Sequence, residues 1–345
     1  MKTITERITT DSKKNNDIFS RAKEILQSGG LVAFPTETVY GLGADALNPE
    51  ACKKIYEAKG RPSDNPLIVH VSSAEAAQKV AEFDEKAKML ADCFWPGPLT
   101  LVLKKYPGIP DEVTGGLDTV AVRVPGHPTA RRLLEYCDMF IAAPSANLSG
   151  RPSPTRASHV LADMEGRIDM IIEDDSVNVG LESTIIDMTT DTPVILRPGA
   201  VTREQAEAVL GELVTFAKED AEEGAPKAPG MKYRHYAPKA DMYVVRGESE
   251  KIICKINEMA KTAVSEGKKI FILASGRTAA GYTSGEVINL GDDVISASAE
   301  LFRALRRCDD EGADLVLAES FAEKGIGRAL MNRLIKAAGH NIIEA

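Results

Sequence analysis

Two short segments carry residue types able to grip a polyanion. Lys59-Gly-Arg61-Pro-Ser-Asp-Asn65 holds two cations two positions apart, and Ser145-Ala-Asn147 holds two neutral hydrogen-bonding side chains at the same spacing. In an extended loop, residues two apart project to one side, so each pair is expected to act together. Arginine offers a planar two-pronged donor and lysine a mobile point charge, a combination suited to a nucleoside triphosphate. A basic pair of this kind taken alone is more often a solvated loop, so its surroundings decide.

Other chemistries lack their residues. There is no Gly-x-x-x-x-Gly-Lys-Ser/Thr loop; Gly41-Leu-Gly43 lacks the third glycine of a dinucleotide fingerprint, and Gly325-Ile-Gly327 has Leu330 where that glycine would stand. The histidines His70, His127, His159, His235 and His340 are isolated, and no Cys/His cluster has ligand spacing. Without a Gly-x-Ser-x-Gly elbow, a serine hydrolase has no support either.

Apolar spacing locates the elements that must carry the two segments. Asp17 reads as the cap of a helix through Ile18, Phe19, Ala22, Ile25 and Leu26, ended by Gly29-Gly30. A buried strand, Leu31-Phe34, runs into the polar loop Pro35-Thr-Glu-Thr-Val-Tyr-Gly-Leu-Gly43. A helix near 50–58 precedes the basic pair, and strands near 67–71, 99–104, 119–124 and 140–143 follow, with helices near 74–81, 85–93 and 128–137. Strands near 170–172, 184–188 and 194–196 and a helix near 202–210 complete a region of mixed order, which predicts a twisted mixed sheet in an α/β domain. The acidic, proline-containing stretch 217–240 reads as a linker. Beyond it, regular β-α alternation from Met242 to about 337 predicts a smaller Rossmann-like, doubly wound parallel domain. The expected division is 15–216, 217–240 and 241–345.

At 345 residues, 43% hydrophobic and 27% charged, the chain suits two soluble domains. Its formal charge of -9 argues against a dedicated nucleic-acid binder. The first residues lack the apolar run of a secretory signal, no window is apolar enough for a membrane span, and the five cysteines never form a Cys-x-x-Cys pair. These features predict a cytoplasmic protein without membrane partners.

Pro35-Thr-Glu-Thr-Val-Tyr-Gly-Leu-Gly43, Lys59-x-Arg61, Ser145-x-Asn147, Glu182-Ser-Thr-Ile185 and Leu196-Arg-Pro-Gly199 together resemble the YrdC-like threonylcarbamoyl-AMP synthases. Lys232-Tyr-Arg-His-Tyr-Ala-Pro238 is similar to the linker of their long two-domain form, and Gly327-Arg-Ala-Leu-Met-Asn-Arg333 to the end of its C-terminal domain. The resemblance runs in order over about residues 15 to 340. It implies an enzyme that joins L-threonine, bicarbonate or carbon dioxide, and ATP carrying Mg2+ into L-threonylcarbamoyladenylate, releasing pyrophosphate. A downstream transferase machinery would then modify a tRNA adenosine beside the anticodon.

The resemblance also implies roles. Lys59 and Arg61 would be catalytic, neutralising the triphosphate. Asn65, Thr119, Ser145, Asn147, Ser153, Arg197 and Tyr236 would join them on ATP, although Arg197 also reads as a strand-end cap. Thr36, His70, Arg123, Ala143 and Ser183 would form the threonine pocket, with Arg123 on the carboxylate and Tyr40 either shaping that pocket or only packing the core. The linker with Tyr233, His235 and Tyr236 would fold back over the site, Tyr236 or His235 closing on ATP as a lid. No protein metal motif is implied. Two rivals stand beside this reading. One is a double-stranded RNA or tRNA-binding module without catalysis, weak RNA binding being compatible with the fold. The other is the carbamoyltransferase unit of hydrogenase maturation, whose zinc-finger cysteines are missing here.

Overall fold

A computed structural model of the chain describes residues 2–174, 177–217, 226–229 and 236–345. Tyr233 and His235 therefore lie outside the described residues. Two compact units are present, one of Met1–Ser149, Ser153–Asn178 and Glu182–Lys232, the other of Gly150–Pro152, Val179–Leu181 and Tyr233–Ala345.

The first unit is built on short, mostly buried strands: β1 (Ile4–Arg7), β2 (Val32–Phe34), β3 (Gly41–Asp45), β4 (Ile68–His70), β5 (Leu99–Lys104), β6 (Thr119–Arg123), β7 (Ile141–Ala142), β8 (Met170–Glu173), β9 (Thr184–Asp187), β10 (Val194–Arg197) and β11 (Thr215–Phe216). They join in the order β1-β8-β2-β3-β7-β4-β6-β5-β9-β10-β11. Parallel pairs such as β4 with β6 and β5 with β9 alternate with antiparallel ones such as β5 with β6, so the sheet is mixed.

The period-two alternation of strands divides this sheet into two faces of different use. Val69, Leu101, Val120, Val122 and Ile186 enter the main core with Ile55 and Leu90 of the helices. Their alternates Ile68, Val102, Ala121 and Ile185 form a small separate apolar patch, covered by Ala228. Further along the same strands, on that second face, stand His70, Thr100, Thr119, Arg123 and Ser183.

Three local expectations are corrected. The first helix is Ser12–Gln27, capped by Asp11, whose side chain accepts from the backbone N–H of Lys13 and Lys14; Asp17 lies inside it. Its first turn is polar and exposed, so apolar spacing does not reveal it. The Pro35–Gly43 segment is a loop only in its first part, because Gly41–Asp45 pairs with β2. Glycine serves there because a Cβ at Gly43 would stand 2.8 Å from Ile141 Cγ2 and 2.9 Å from Phe34 Cε1. Lastly, β1 and the helix Ala157–Met164 are elements that the apolar pattern does not announce.

The second unit stacks β12 (Asp241–Arg246), β13 (Ile270–Ala274), β14 (Glu286–Asn289), β15 (Leu315–Glu319) and β16 (Ile342–Glu344) in the order β14-β13-β15-β12-β16, every pair parallel. The helix Ser249–Ser265 packs Ile252, Ile256 and Ala260 with Val245, Ile270, Ile272 and Leu317. Val244, Phe271, Leu273, Val316 and Ala318 are buried on the opposite side, as a doubly wound sheet requires. Among the described residues no helix is long and apolar enough to cross a membrane.

Candidate functional site

Lys59 ends a helix rather than lying in a loop. The helix Pro49–Lys59 starts at Asn48, whose side chain accepts from the N–H of Glu50 and Ala51, has proline in its first turn, and stops at Gly60 with φ 60°. That placement buries Lys59, and its Nζ donates to the carbonyls of Ser145 and Asn147, both at 2.5 Å. Ser149 N in turn donates to Lys59 O at 2.9 Å. An ammonium taken out of water needs such partners, and the consequence is that Lys59 ties the 145–149 loop to the helix end.

Arg61 goes elsewhere. After the left-handed turn at Gly60 its Nε donates to Asn65 O at 3.2 Å and its Nη2 to Pro66 O at 3.1 Å. The two cations thus grip different carbonyl sets, which corrects the expectation that they project together from an extended loop. Asn65 itself is buried, beneath Tyr56, whose hydroxyl donates to Asn65 O at 3.3 Å and to Glu112 O at 2.7 Å. Ser145 bridges Gly41, while Leu42 N donates to Pro144 O and Ala146 N to Tyr40 O, each at 2.8 Å. The first polar loop and the Ser145-Asn147 segment therefore run side by side. Tyr40 is fully buried and its hydroxyl donates to Asp174 O at 2.6 Å.

A second cluster forms where β4, β6 and β7 adjoin. His70 stands opposite Arg123 in one pairing and opposite Ile141 in the other, and Ala143 N donates to Ile68 O at 2.8 Å. Arg123 Nε donates to Gly97 O at 3.3 Å, Nη1 donates to Thr38 Oγ1 at 3.0 Å, and Nη2 makes an ion pair with Glu37 at 2.8 Å. Thr38 Oγ1 is 2.8 Å from Thr36 Oγ1, and Thr36 donates to Val39 O at 2.6 Å. Since Thr36 spends its proton on Val39, the threonine–threonine bond runs from Thr38 to Thr36. A directed chain therefore links Arg123 to Thr36, two of the residues assigned to one pocket.

Electrostatics there are set by burial. Burial, with the Arg123 charge adding to it, drives the His70 imidazole down to about 3, so it is neutral at pH 7. Its Nδ1 lies 3.0 Å from Ile68 O, and its ring meets Phe34 edge-on at 6.0 Å. Burial alone would raise Glu37, but the Arg123 guanidinium and the Gly126 backbone outweigh it and hold the carboxyl below its usual value.

The third cluster brings Ser183 and Arg197 together. Arg197 Nε donates to Ser183 O and its Nη2 to Ser183 Oγ, both at 3.1 Å, and its Nη1 reaches Pro229 O at 3.4 Å. Ser183 Oγ also lies 2.7 Å from Thr100 Oγ1. The turn that carries Arg197 can close this tightly because a Cβ at Gly199 would stand 2.3 Å from Thr184 N. Ser153 donates to Glu182 at 2.6 Å.

Two further expected site residues have neighbours of their own. Thr119 opens β6 opposite Lys104, four residues and roughly 13 Å along the strand from Arg123. Tyr236 belongs to the second unit, buried against Phe302 at 5.2 Å with the Arg333 guanidinium 5.8 Å from its ring. Conversely, the geometry adds Glu37, Thr38, Thr100 and Glu182, which residue reading did not single out. Glu37, Thr38 and Glu182 sit inside quoted motifs, and Thr100 is the polar interruption of the apolar run Leu99–Leu103.

A family model described as telomere recombination matches residues 24–199, and one described as threonylcarbamoyl-AMP synthase, C-terminal domain, matches residues 201–339. The threonylcarbamoyl-AMP synthase of Pyrococcus abyssi is 51% identical over 325 residues, 94% of each chain. That of Bacillus subtilis is 44% identical over 340 residues, 97% of each. The crystal structure of P. abyssi Sua5 complexed with L-threonine is similar with a TM-score of 0.93 at 48% identity, over 100% of both chains.

Proposed function

The chain belongs to the threonylcarbamoyl-AMP synthase family in its two-domain form, and from that membership we propose that it condenses L-threonine, bicarbonate or carbon dioxide, and ATP into L-threonylcarbamoyladenylate. Pyrophosphate is the second product. The observation that carries the reading is the polar face of the first unit's sheet, where His70, Arg123 and Ser183 stand at one end of an apolar patch. Such a face, with strand-end loops around it, suits a small zwitterion next to a triphosphate.

Chemically the reaction needs positioning and charge stabilisation rather than a protein nucleophile. Threonine's deprotonated amine attacks carbon dioxide, giving a carbamate and a proton, or bicarbonate, giving a carbamate and water; a carbamate oxygen then attacks the α-phosphorus of ATP as its bond to pyrophosphate breaks. Lys59 and Arg61 neutralise the negative charge that grows on the phosphates, as positioned cations do in phosphoryl and nucleotidyl transfer. Asn65, Thr119, Ser145, Asn147, Ser153, Arg197 and Tyr236 complete the nucleotide contacts. Thr36, His70, Arg123, Ala143 and Ser183 hold threonine, with Arg123 on its carboxylate. Magnesium enters as part of the substrate, carried by the triphosphate. The product passes to a transferase that modifies a tRNA adenosine in the cytoplasm.

The test is pyrophosphate release together with mass-spectrometric detection of the adenylate. Both are expected only when threonine, bicarbonate and ATP are all present, and Lys59→Ala is expected to lower the rate by about 100-fold or more. Pyrophosphate release without threonine would overturn the reaction, and full activity in Lys59→Ala would overturn the residue assignment.

A further inference from the structure

Glu37 is a carboxylate placed where a carboxylate-binding arginine would normally be kept free. Its side chain is 13% exposed, that of Arg123 is 4%, and the two meet at 2.8 Å. Both Glu37 oxygens and Arg123 Nη2 are closed off from water. Charge therefore dominates the pair, with the Gly126 backbone supporting the carboxylate. The other arginine nitrogens are spent on Gly97 O and Thr38 Oγ1, so the guanidinium cannot rotate away from Glu37 without breaking both.

We propose that Glu37 is a specificity-determining residue which, by cancelling the charge of Arg123, makes the amino-acid subsite select a zwitterion over an anion. The inference rests on the threonine reading of this subsite. A free α-amino acid brings one carboxylate and one ammonium. The carboxylate comes beside the Arg123 guanidinium and the ammonium beside the Glu37 carboxylate, so four alternating charges close on each other. An acid without the amine brings only its negative charge, which sits beside Glu37 with nothing to offset the repulsion. In a site shielded from water that difference is large. Selecting the zwitterion is also what the chemistry requires, because the ammonium is the precursor of the attacking amine.

Calorimetric titration of L-threonine and of 3-hydroxybutyrate, the same skeleton without the amine, tests this on the wild type, Glu37→Gln and Glu37→Asp. Wild type is expected to bind threonine at least about tenfold more tightly than 3-hydroxybutyrate. Glu37→Gln is expected to weaken threonine while tightening 3-hydroxybutyrate, shrinking the ratio by about tenfold, whereas Glu37→Asp keeps the wild-type order because it keeps the charge. A merely structural glutamate would weaken both ligands alike, and an unchanged ratio in Glu37→Gln overturns the proposal. Equal binding of both ligands by the wild type overturns it even if Glu37→Gln does not fold. Absence of threonine binding to the wild type overturns the functional reading itself, and this inference with it.

Discussion

At the scale of single residues, a neutral His70 ties stability to pH. Its folded value of about 3 lies below the ordinary 6.5, so between those values the unfolded chain binds the proton that the folded chain refuses. Stability from this group is complete above pH 6.5 and is lost as pH falls toward 3, at up to about 1.4 kcal/mol per pH unit. Glu37 adds in the same direction but lower, since its lowered carboxyl contributes above its ordinary 4.5 and loses that contribution as pH drops through the folded value. Between pH 6.5 and 5 the His127 imidazole, which burial also lowers, acts in the same direction, so His70 has to be isolated from it. Trp95, the single tryptophan, lies in the first unit and reports its unfolding. Urea midpoints followed by its fluorescence are expected to fall over that range in the wild type and to fall less steeply in His70→Gln; parallel slopes would refute the assignment. The sequence singles out His70, Arg123, Lys59 and Ser183, and the fold buries all of them. Their directions are not legible in the sequence. Lys59 and Arg61 are two apart in sequence, yet a helix end and a left-handed glycine between them send one to Ser145 and the other to Asn65. Nor does sequence pair Glu37 with Arg123, because the contact joins the loop between β2 and β3 to the end of β6, segments far apart in the chain that only the folded sheet brings together.

At the scale of elements, glycines separate two kinds of constraint. Gly43 lies in β3 between neighbours that leave no room for a side chain, with Ile141 Cγ2 and Phe34 Cε1 both under 3 Å from an added Cβ. Gly60 has nothing within 4 Å of an added Cβ, but its φ is +60°. Gly43→Ala is thus expected to cost about 1–3 kcal/mol by overpacking and to loosen the β2–β3 and β3–β7 pairings that seat Ser145. Gly60→Ala is expected to cost about 1–2 kcal/mol by backbone strain alone. Urea unfolding of both, with ATP affinity measured alongside, separates the cases, since only Gly43→Ala should move Ser145 relative to β2. The same comparison explains which elements were legible. Pro128–Cys137 matches its expected bounds because it has apolar residues at helical spacing and a proline in its first turn. Ile4–Arg7 sits at the sheet edge with mostly exposed side chains, so nothing in its polarity marks a strand. Gly41–Asp45 was hidden by its own glycines, which read as a turn but serve packing.

At the scale of the whole molecule, residues 227–229 are part of the first unit's structure. Acidic residues and prolines make 217–240 read as a solvated connector, and composition alone supports nothing more. Yet Ala228 is fully buried on Ile68, Val102, Ala121 and Ile185, Lys227 pairs with the buried Asp187 at 2.9 Å, and Pro229 O accepts from Arg197. An alanine fits because the patch beneath it is small, and any larger or charged side chain would have to leave. The three anchors differ in strength. The Lys227 side chain is 42% exposed, so its ion pair is screened and contributes little, whereas the apolar contact and the Arg197 bond are shielded. Arg197 also holds Ser183 through Nε and Nη2, so lifting the segment removes the Nη1 anchor of the guanidinium that fixes a proposed threonine contact. Ala228→Glu is accordingly expected to lower the stability of the first unit by about 2 kcal/mol or more, and to weaken threonine binding through Ser183. Lys227→Ala should change stability by less than about 1 kcal/mol and leave threonine binding near wild type. Trp95-monitored unfolding and threonine calorimetry on the two full-length variants make the comparison. If Lys227→Ala proved the more damaging, the segment would be held by its surface charge, and Ala228 would be an ordinary buried residue with no hold on the site.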